Sequence, residues 1–390
     1  MKKIAIGQAG GPTAVINATL AGFVDQVMES CELLFVEGGY EGLVKERFLQ
    51  GDYSINDWVL KHRNVPGACL ESGRFPFDQQ AIETAVYNLR KHSVDTLVFI
   101  GGNGTMEALS KVSKEADRQG FKLQVLGLPK TVDNDLGATD HAPGFSSAAK
   151  YIAETTKNMS RDLYSMKNFE QVRVLETMGR NAGWLAAASG VFKEYPEEGP
   201  HFIAVPEVSL NKEELLASVR QALHLYGYAI VVVSEGVKWK EESQVEINQV
   251  GGRKILGGIS KVIGEFLNRE LNVNTRAELL GMNQRSSSSS VSPVDALEAY
   301  QIGKTGGRWV QEDQNNVMVA VKRKPSNCYT ISMTPVNLKD VIKEGERCMP
   351  QTFIKNKDAY YTWLMPLLGG DKPSYPPLSK RRVVYCENSN

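Results

Sequence analysis

Pro129-Lys130-Thr131-Val132-Asp133-Asn134-Asp135 places two carboxylates two residues apart, directly after an apolar run from Leu123 to Leu128. The run reads as a buried parallel strand. In an open α/β sheet the ligand crevice lies beyond the carboxyl ends of such strands. In an extended segment Asp133 and Asp135 share one face. Such a pair can take the proton of an attacking hydroxyl and help hold a hydrated divalent cation. The alternative is a polar turn that caps the next helix, a place Asp and Asn often fill. Gly10-Gly11-Pro12-Thr13 follows a strand from Lys3 to Gly7 and precedes an apolar helical pattern from Ala14 to Met28. Its backbone N–H groups are therefore placed for an anion. The spacing fits neither Walker A nor GxGxxG, and a tight βα turn accounts for it equally well. Gly101-Gly102-Asn103-Gly104-Thr105 repeats the arrangement, between the strand Thr96 to Ile100 and a helix from Met106 to Gln119. Arg74, in Glu71-Ser72-Gly73-Arg74-Phe75-Pro76, is either a clamp on a transferring phosphoryl group or a surface ion-pair partner.

These side chains need a scaffold, and the chain is long enough to build one. Its 390 residues suit two domains or one large one, and 42% hydrophobic with 23% charged residues is ordinary for a soluble globular protein. Lys and Arg number 45 and so do Asp and Glu, so nothing points to nucleic acid or an anionic membrane surface. Cys31, Cys69, Cys328, Cys348 and Cys386 are scattered without a CxxC pair, which fits a reducing cytoplasm rather than a zinc site or disulfide framework. No signal peptide or membrane-length apolar run is expected.

The remaining pattern alternates strands and helices. Cys31 to Val36 reads as a strand, residues 50–65 as irregular, and Gln79 to Lys91 as an amphipathic helix. A helix follows 141–150 through about Met159. Val172 to Leu175, Phe202 to Pro206 and Ala229 to Ser234 read as strands, with helices over 182–192 and 255–270 and a surface excursion over 241–252. Arg276 to Gly281 is a strand, and five serines, Ser286 to Ser290, form either a linker or a turn beside bound phosphate. Val317 to Val321 and Tyr329 to Met333 suggest a late β pair, and the tail from Asp371 reads as a loose extension. The expected domains are 1–142, holding the phosphoryl donor; 143–255, holding the acceptor; and 306–390, a C-terminal extension. Residues 256–305 are expected to pack back onto the first domain.

Taken together, GGPTAVINA at 10–18, ESGRFP at 71–76, GGNGT at 101–105, PKTVDND at 129–135, PGFSSAAKY at 143–151, ETMGRNAGW at 176–184, EG at 235–236 and R-x-x-x-x-G-x-x-QR at 276–285 resemble the phosphofructokinase family, in its own order. The resemblance runs from residue 3 to about 303, with weaker similarity to the longer, pyrophosphate-type members to about 370. It implies an α/β fold of two Rossmann-like three-layer domains with a catalytic cleft between them. It implies a phosphotransferase that moves a phosphoryl group to a sugar hydroxyl, with Mg²⁺ and ATP or pyrophosphate. Asp133 would be the general base; Gly11, Arg74 and Thr131 would hold the moving group; and Asp135 would position the acceptor or, with Asn103, the metal. Tyr40, Gly102, Asn103, Gly104, Thr105 and Lys130 would serve the donor. Met178, Gly179, Arg180 and Glu235 would line the sugar site. Arg285 and Arg276 would bind the 6-phosphate end, Arg276 reaching in from a neighbouring subunit, which implies at least a homodimer, or a homotetramer.

In the family, ATP users carry Gly at position 104 and pyrophosphate users usually Asp, which would fill the space of the nucleotide α-phosphate. Gly104 thus favours ATP, while Lys130 is typical of pyrophosphate enzymes. Position 103 is Asn in place of a metal-facing Asp. The family's intersubunit arginine falls at Gln171, and Arg173, on the same strand face, is the expected substitute. The histidine beside the 6-phosphate is Met282, and the glycines after QR are Ser286 and Ser287. Four readings stand: an ATP-dependent 6-phosphofructokinase, a kinase for another sugar or sugar derivative, a pyrophosphate-dependent 6-phosphofructokinase, and a non-catalytic regulatory paralogue.

Overall fold

The computed structural model describes residues 1–73, 75–240, 243–250, 253–326 and 328–376. Thirteen strands lie among them: β1 (Lys2–Gln8), β2 (Cys31–Val36), β3 (Phe48–Gly51), β4 (Thr96–Gly101), β5 (Gln124–Pro129), β6 (Val172–Thr177), β7 (Phe202–Ala204), β8 (Ala229–Ser234), β9 (Glu246–Val250), β10 (Arg253–Leu256), β11 (Thr275–Leu279), β12 (Val317–Arg323) and β13 (Ile331–Asn337). A seven-stranded sheet has the order β13-β12-β5-β4-β1-β2-β3, and a four-stranded sheet the order β11-β6-β8-β7. In the large sheet the five inner strands run parallel, and the edges β3 and β13 are antiparallel. The small sheet is parallel throughout.

Continuous apolar runs mark the inner strands because both of their faces are covered. Along β4, Leu97 and Phe99 pack on one side with the helices Gln79–Lys91 and Asn103–Arg118, while Val98 and Ile100 pack on the other with Ile16–Val27 and Pro293–Gln311. The small sheet repeats the three layers, with Val174 and Val231 facing Ile263 and Leu267 on one side and Leu175 and Val232 facing Trp184 and Leu364 on the other. This is an α/β fold of two layered units, as the sequence implied.

The division of the chain differs from the expected one. The helix Ile259–Leu271 and β11 belong to the small sheet, because the buried carboxylate of Glu176 on β6 accepts hydrogen bonds from Gly258 N and Ser260 N and so caps that helix. Only Pro293–Gln311 returns to the first unit. It lies so close to Ile16–Val27 that a Cβ at Gly22 would stand 2.0 Å from the Tyr300 carbonyl oxygen and one at Gly303 2.1 Å from that of Thr19. Nor is the described part of the expected extension, up to residue 376, an appendage: β12 and β13 complete the large sheet, and the helix Lys357–Leu368 buries Tyr360, Leu364 and Leu367 in the core of the small one. Residues 50–65 are ordered by β3, paired to β2, and by Tyr53–Lys61, whose N-cap Asp52 accepts from Ile55 N at 2.8 Å. The helix expected over 182–192 is confined to Trp184–Ala188, and β9, within the expected excursion, pairs antiparallel with β10 just beyond it. No helix among the described residues is long and apolar enough to cross a membrane.

The segment after 129–135 is tied to β12 and to the helix Pro293–Gln311 by a buried ionic cluster. His141 places Nδ1 2.9 Å from Asp140 and Nε2 2.6 Å from Glu298; Tyr329 donates to Glu298 at 2.6 Å, and Arg323 lies 3.4 Å from Asp140. Burial alone would lower the imidazole pKa, but the hydrogen bonds and charges of Asp140 and Glu298 outweigh it and push it up to about 9. A raised folded-state pKa stabilises fully below the unfolded value, about 6.5, and that contribution fades as pH rises through about 9. Its size is on the order of 2–3 kcal/mol. Denaturant titrations of wild type and His141→Gln should therefore show a stability gap that is widest near pH 6 and closes by about pH 10; a gap independent of pH would refute the assignment.

Candidate active site

Strand order in the large sheet reverses at β1, since β2 lies on one side of it and β4 on the other. The crevice beyond that switch point is where an open α/β sheet binds ligands. Three loops meet there: 9–13 after β1, 102–104 after β4, and 130–135 after β5. Ala9 N donates to Ile100 O at 2.9 Å and Lys130 N to Gly101 O at 3.0 Å, so the three strand ends are stitched together.

Lys130 turns back beneath the first loop and donates from Nζ to the Gly11 carbonyl at 2.7 Å. Burial brings its pKa down to about 8; Asp135 and Asp133 pull it upward and Arg285 presses it down. Arg285 lies on the other side of the loop, so close that a Cβ at Gly11 would stand 2.7 Å from a guanidinium nitrogen. Two cations therefore flank the Gly11 loop, with Asp133 within electrostatic reach of both.

The 131–135 loop is held in shape by its own side chains. Thr131 donates its hydroxyl to Asp135 at 2.8 Å and accepts from Asp133 N at 3.1 Å. Asn134 between the two acids takes a left-handed backbone with φ of 53°. That geometry departs from a plain extended segment, so Asp133 and Asp135 have different surroundings. Asp135 has its pKa raised by burial and further by the nearby Glu346 carboxylate, against the Thr131 hydrogen bond. Asn103 donates from Nδ2 to the Asp135 carbonyl at 2.9 Å. Among the described residues no three acidic, histidine or cysteine side chains converge on a metal position. A hydrated Mg²⁺ takes one or two protein oxygens and the rest from water and phosphate, and Asp135 Oδ2 with Asn103 Oδ1 suits that limited role.

On the donor side, the helix Asn103–Arg118 begins at Gly102 without a side-chain cap, which directs its first N–H groups toward an incoming anion. Tyr40 stacks on Phe77 with ring centroids 4.6 Å apart and donates to Thr105 at 3.0 Å. Thr105 also packs on Gly101, so both residues brace the turn. Arg74 lies outside the described residues. The base of its loop is fixed by Leu70, whose N–H donates to Gln8 on β1 at 3.0 Å.

The second unit brings the other residues to the cleft from the ends of β6 and β8. Thr177 pairs with Ser234, and Glu235 N donates to the Thr177 carbonyl at 2.8 Å, which sets Met178, Gly179 and Arg180 beside Glu235. Gln284 accepts from Met178 N at 2.9 Å, so the Gln284-Arg285 pair spans from this loop to Gly11. Arg276 on edge strand β11 is 55% exposed and lies 3.1 Å from Glu170. Arg173, expected to stand in for the intersubunit arginine, is paired within its own chain. Its guanidinium is buried against Glu170 at 2.9 Å and Asp162 at 2.8 Å, which turns it inward. Gln171 is likewise engaged, donating to the Lys167 carbonyl and accepting from Asn274 N. Sequence reasoning missed the segment 346–349, which lies across the cleft and had no motif to mark it.

Residues 3–309 match the Phosphofructokinase family. The chain belongs to the phosphofructokinase family. It is 44% identical over 377 residues to a sulfofructose kinase of Alkalicoccus urumqiensis, covering 97% of each chain. It is 31% identical to a pyrophosphate–fructose 6-phosphate 1-phosphotransferase of Xanthomonas campestris pv. campestris, covering 94% of this chain and 91% of the relative. The crystal structure of a pyrophosphate-dependent phosphofructokinase from Marinobacter aquaeolei superposes with a TM-score of 0.85 at 30% identity, over 97% of this chain and 94% of that one. The sequence similarity and the shared fold agree along nearly the whole chain, so it is a phosphotransferase with an alcohol group as acceptor.

Asp133, fixed by its backbone bond to Thr131, has Lys130 and Arg285 within electrostatic reach and is the general-base candidate. Asp133→Asn should keep ligand binding and lose roughly 10²–10⁴-fold in turnover. Steady-state kinetics giving near-normal kcat would remove it from the general-base role.

Proposed function

We propose that this phosphotransferase acts on a hydroxyl of sulfofructose, a sugar whose anionic group is a sulfonate. The observation that carries the reading is that position 171 holds an uncharged, hydrogen-bonded Gln and that the Arg173 guanidinium is already paired with Glu170 and Asp162. Neither brings positive charge to the anion end of the acceptor site, and Met282, 59% exposed, stands where the family histidine would be. A phosphate monoester carries nearly two negative charges at neutral pH, whereas a sulfonate keeps one. A site left with a partner's copy of Arg276, itself drawn to Glu170, suits the lower charge. The 44%-identical sulfofructose kinase supports the same acceptor.

In this reading Asp133 takes the proton of the attacking hydroxyl as the new P–O bond forms. Gly11, Thr131 and Arg74 hold the phosphoryl group, and Lys130 and Arg285 offset its charge; positioning and neutralisation dominate in a loose transition state. Mg²⁺, when bound through Asp135, Asn103 and the donor phosphates, adds to that neutralisation. Met178, Gly179, Arg180 and Glu235 line the sugar, and the shared anion end makes a homodimer the working unit.

ATP is the proposed donor. A Cβ at Gly104 would meet nothing within 4 Å, and its backbone is outside the left-handed region, so the fold itself makes no demand for glycine there. The open space suits a nucleotide α-phosphate. Pyrophosphate is the second reading, favoured by Lys130 beneath the Gly11 loop and by the Xanthomonas and Marinobacter relatives.

Two measurements test these choices. Sulfofructose should exceed fructose 6-phosphate in kcat/KM by at least about tenfold, the worth of one charge-assisted hydrogen bond; equal or reversed efficiency would defeat the acceptor reading. Gly104→Asp should fold normally, since the side chain has room, and should lose ATP turnover. Unchanged KM for ATP in that variant, or wild-type turnover with pyrophosphate alone, would exclude the ATP reading.

A further inference from the structure

The C-terminal segment 346–349 bridges the two halves of the cleft. Arg347 N donates to the Asp135 carbonyl at 2.7 Å, and Leu136 and Glu346 form an antiparallel bridge. That fixes Glu346 beside the reacting loop of the first unit. On the other side, Asn181 donates to the Glu346 carboxylate at 2.6 Å, and Asn181 directly follows the Met178-Gly179-Arg180 loop. The segment is anchored behind this contact as well. Trp184 Nε1 donates to the Arg347 carbonyl at 3.3 Å, and the guanidinium of Arg347 lies 4.6 Å from the Trp184 ring centroid. Glu207 accepts from both Gly183 N and Met349 N, at 2.9 and 2.8 Å. Glu346 itself stays exposed.

We propose that Glu346 is an acceptor-binding residue whose carboxylate takes hydrogen bonds from sugar hydroxyls lying between Asp135 and the 178–181 loop. A carboxylate has about four acceptor positions, and Asn181 occupies one of them. Because Glu346 is exposed, the rest are open to hydroxyls of an acceptor lying between Asp135 and the 178–181 loop. The residue lies beyond 3–309, the part matched to the family, so the contact adds a polyol-recognition element outside that region. The inference rests on the sugar-kinase reading above but not on which sugar is used.

The test is steady-state kinetics of Glu346→Ala, Glu346→Gln and Asn181→Ala on sulfofructose and fructose 6-phosphate, with calorimetric binding of the same sugars alongside. Glu346→Ala should raise the acceptor KM and Kd by about tenfold to a hundredfold. Glu346→Gln, which keeps an acceptor oxygen, should recover part of the loss, and Asn181→Ala should show a smaller effect of the same kind. KM for the donor and the Mg²⁺ dependence should not move. An acceptor KM within about twofold of wild type in all folded variants would overturn the proposal. So would a change in Mg²⁺ dependence with constant acceptor KM. Thermal unfolding reports whether each variant folds, and Glu346→Gln carries the test if the alanine variant does not. If fructose 6-phosphate proves the better acceptor, the sulfofructose reading fails while the Glu346 effect is still read on that sugar.

Discussion

A buried ammonium under a glycine loop is the constraint on which the site depends. Lys130 is almost sealed from solvent and donates to the Gly11 carbonyl at 2.7 Å. Burying such a charge is costly unless nearby groups offset it. Asp133 and Asp135, three and five residues on, supply the offset, which requires the loop after β5 to curl back toward the loop after β1. The neighbouring order of β1, β4 and β5 makes that curl short. An anion bound at the Gly11 loop would lie close to both Lys130 and Arg285, so the same charge arrangement favours phosphate.

The two acids of the loop are separated in role by what surrounds them. Both acids lie within electrostatic reach of Lys130, but Arg285 also acts on Asp133, whereas Asp135 is desolvated and faces Glu346. Pairs of carboxylates whose environments differ in this way commonly divide labour between proton transfer and positioning. The left-handed Asn134 between them produces the difference, since a straight strand would have presented both acids to one environment.

Local features of the chain were legible because their causes are local. The apolar runs of β4, β5 and β8 show where strands are covered on both faces, and glycine-rich turns mark their ends. Asp133, Lys130 and Arg285 belong to short motifs, and the structure does gather them around Gly11. What sequence could not show depends on partners far along the chain. Glu176 reads as part of a sugar motif, yet its carboxylate is spent on a helix N-terminus at 258–260. Arg173 occupies a strand position that alternates correctly, but Glu170 and Asp162 capture it. Periodicity states which face a side chain takes and not which countercharge waits there. The strand β3 and the segment 346–349 escaped notice for the same reason: each is defined by pairing with a distant element rather than by its own composition.

Glu170 deserves to be seen as the counterpart of Lys130 at the opposite end of the acceptor. One buried carboxylate contacts both Arg173 at 2.9 Å and Arg276 at 3.1 Å, on strands that pair in register. The arrangement holds one arginine inside the sheet and partly neutralises the other at its edge. An arginine already paired still offers its remaining N–H groups to an anion, but with a weaker net field. A dianionic phosphate loses more from that weakening than a monoanion does, because the Coulomb term scales with the ligand's charge. In the sulfofructose reading, discrimination by charge would thus arise from a residue that need never touch the ligand, through the arginines it restrains.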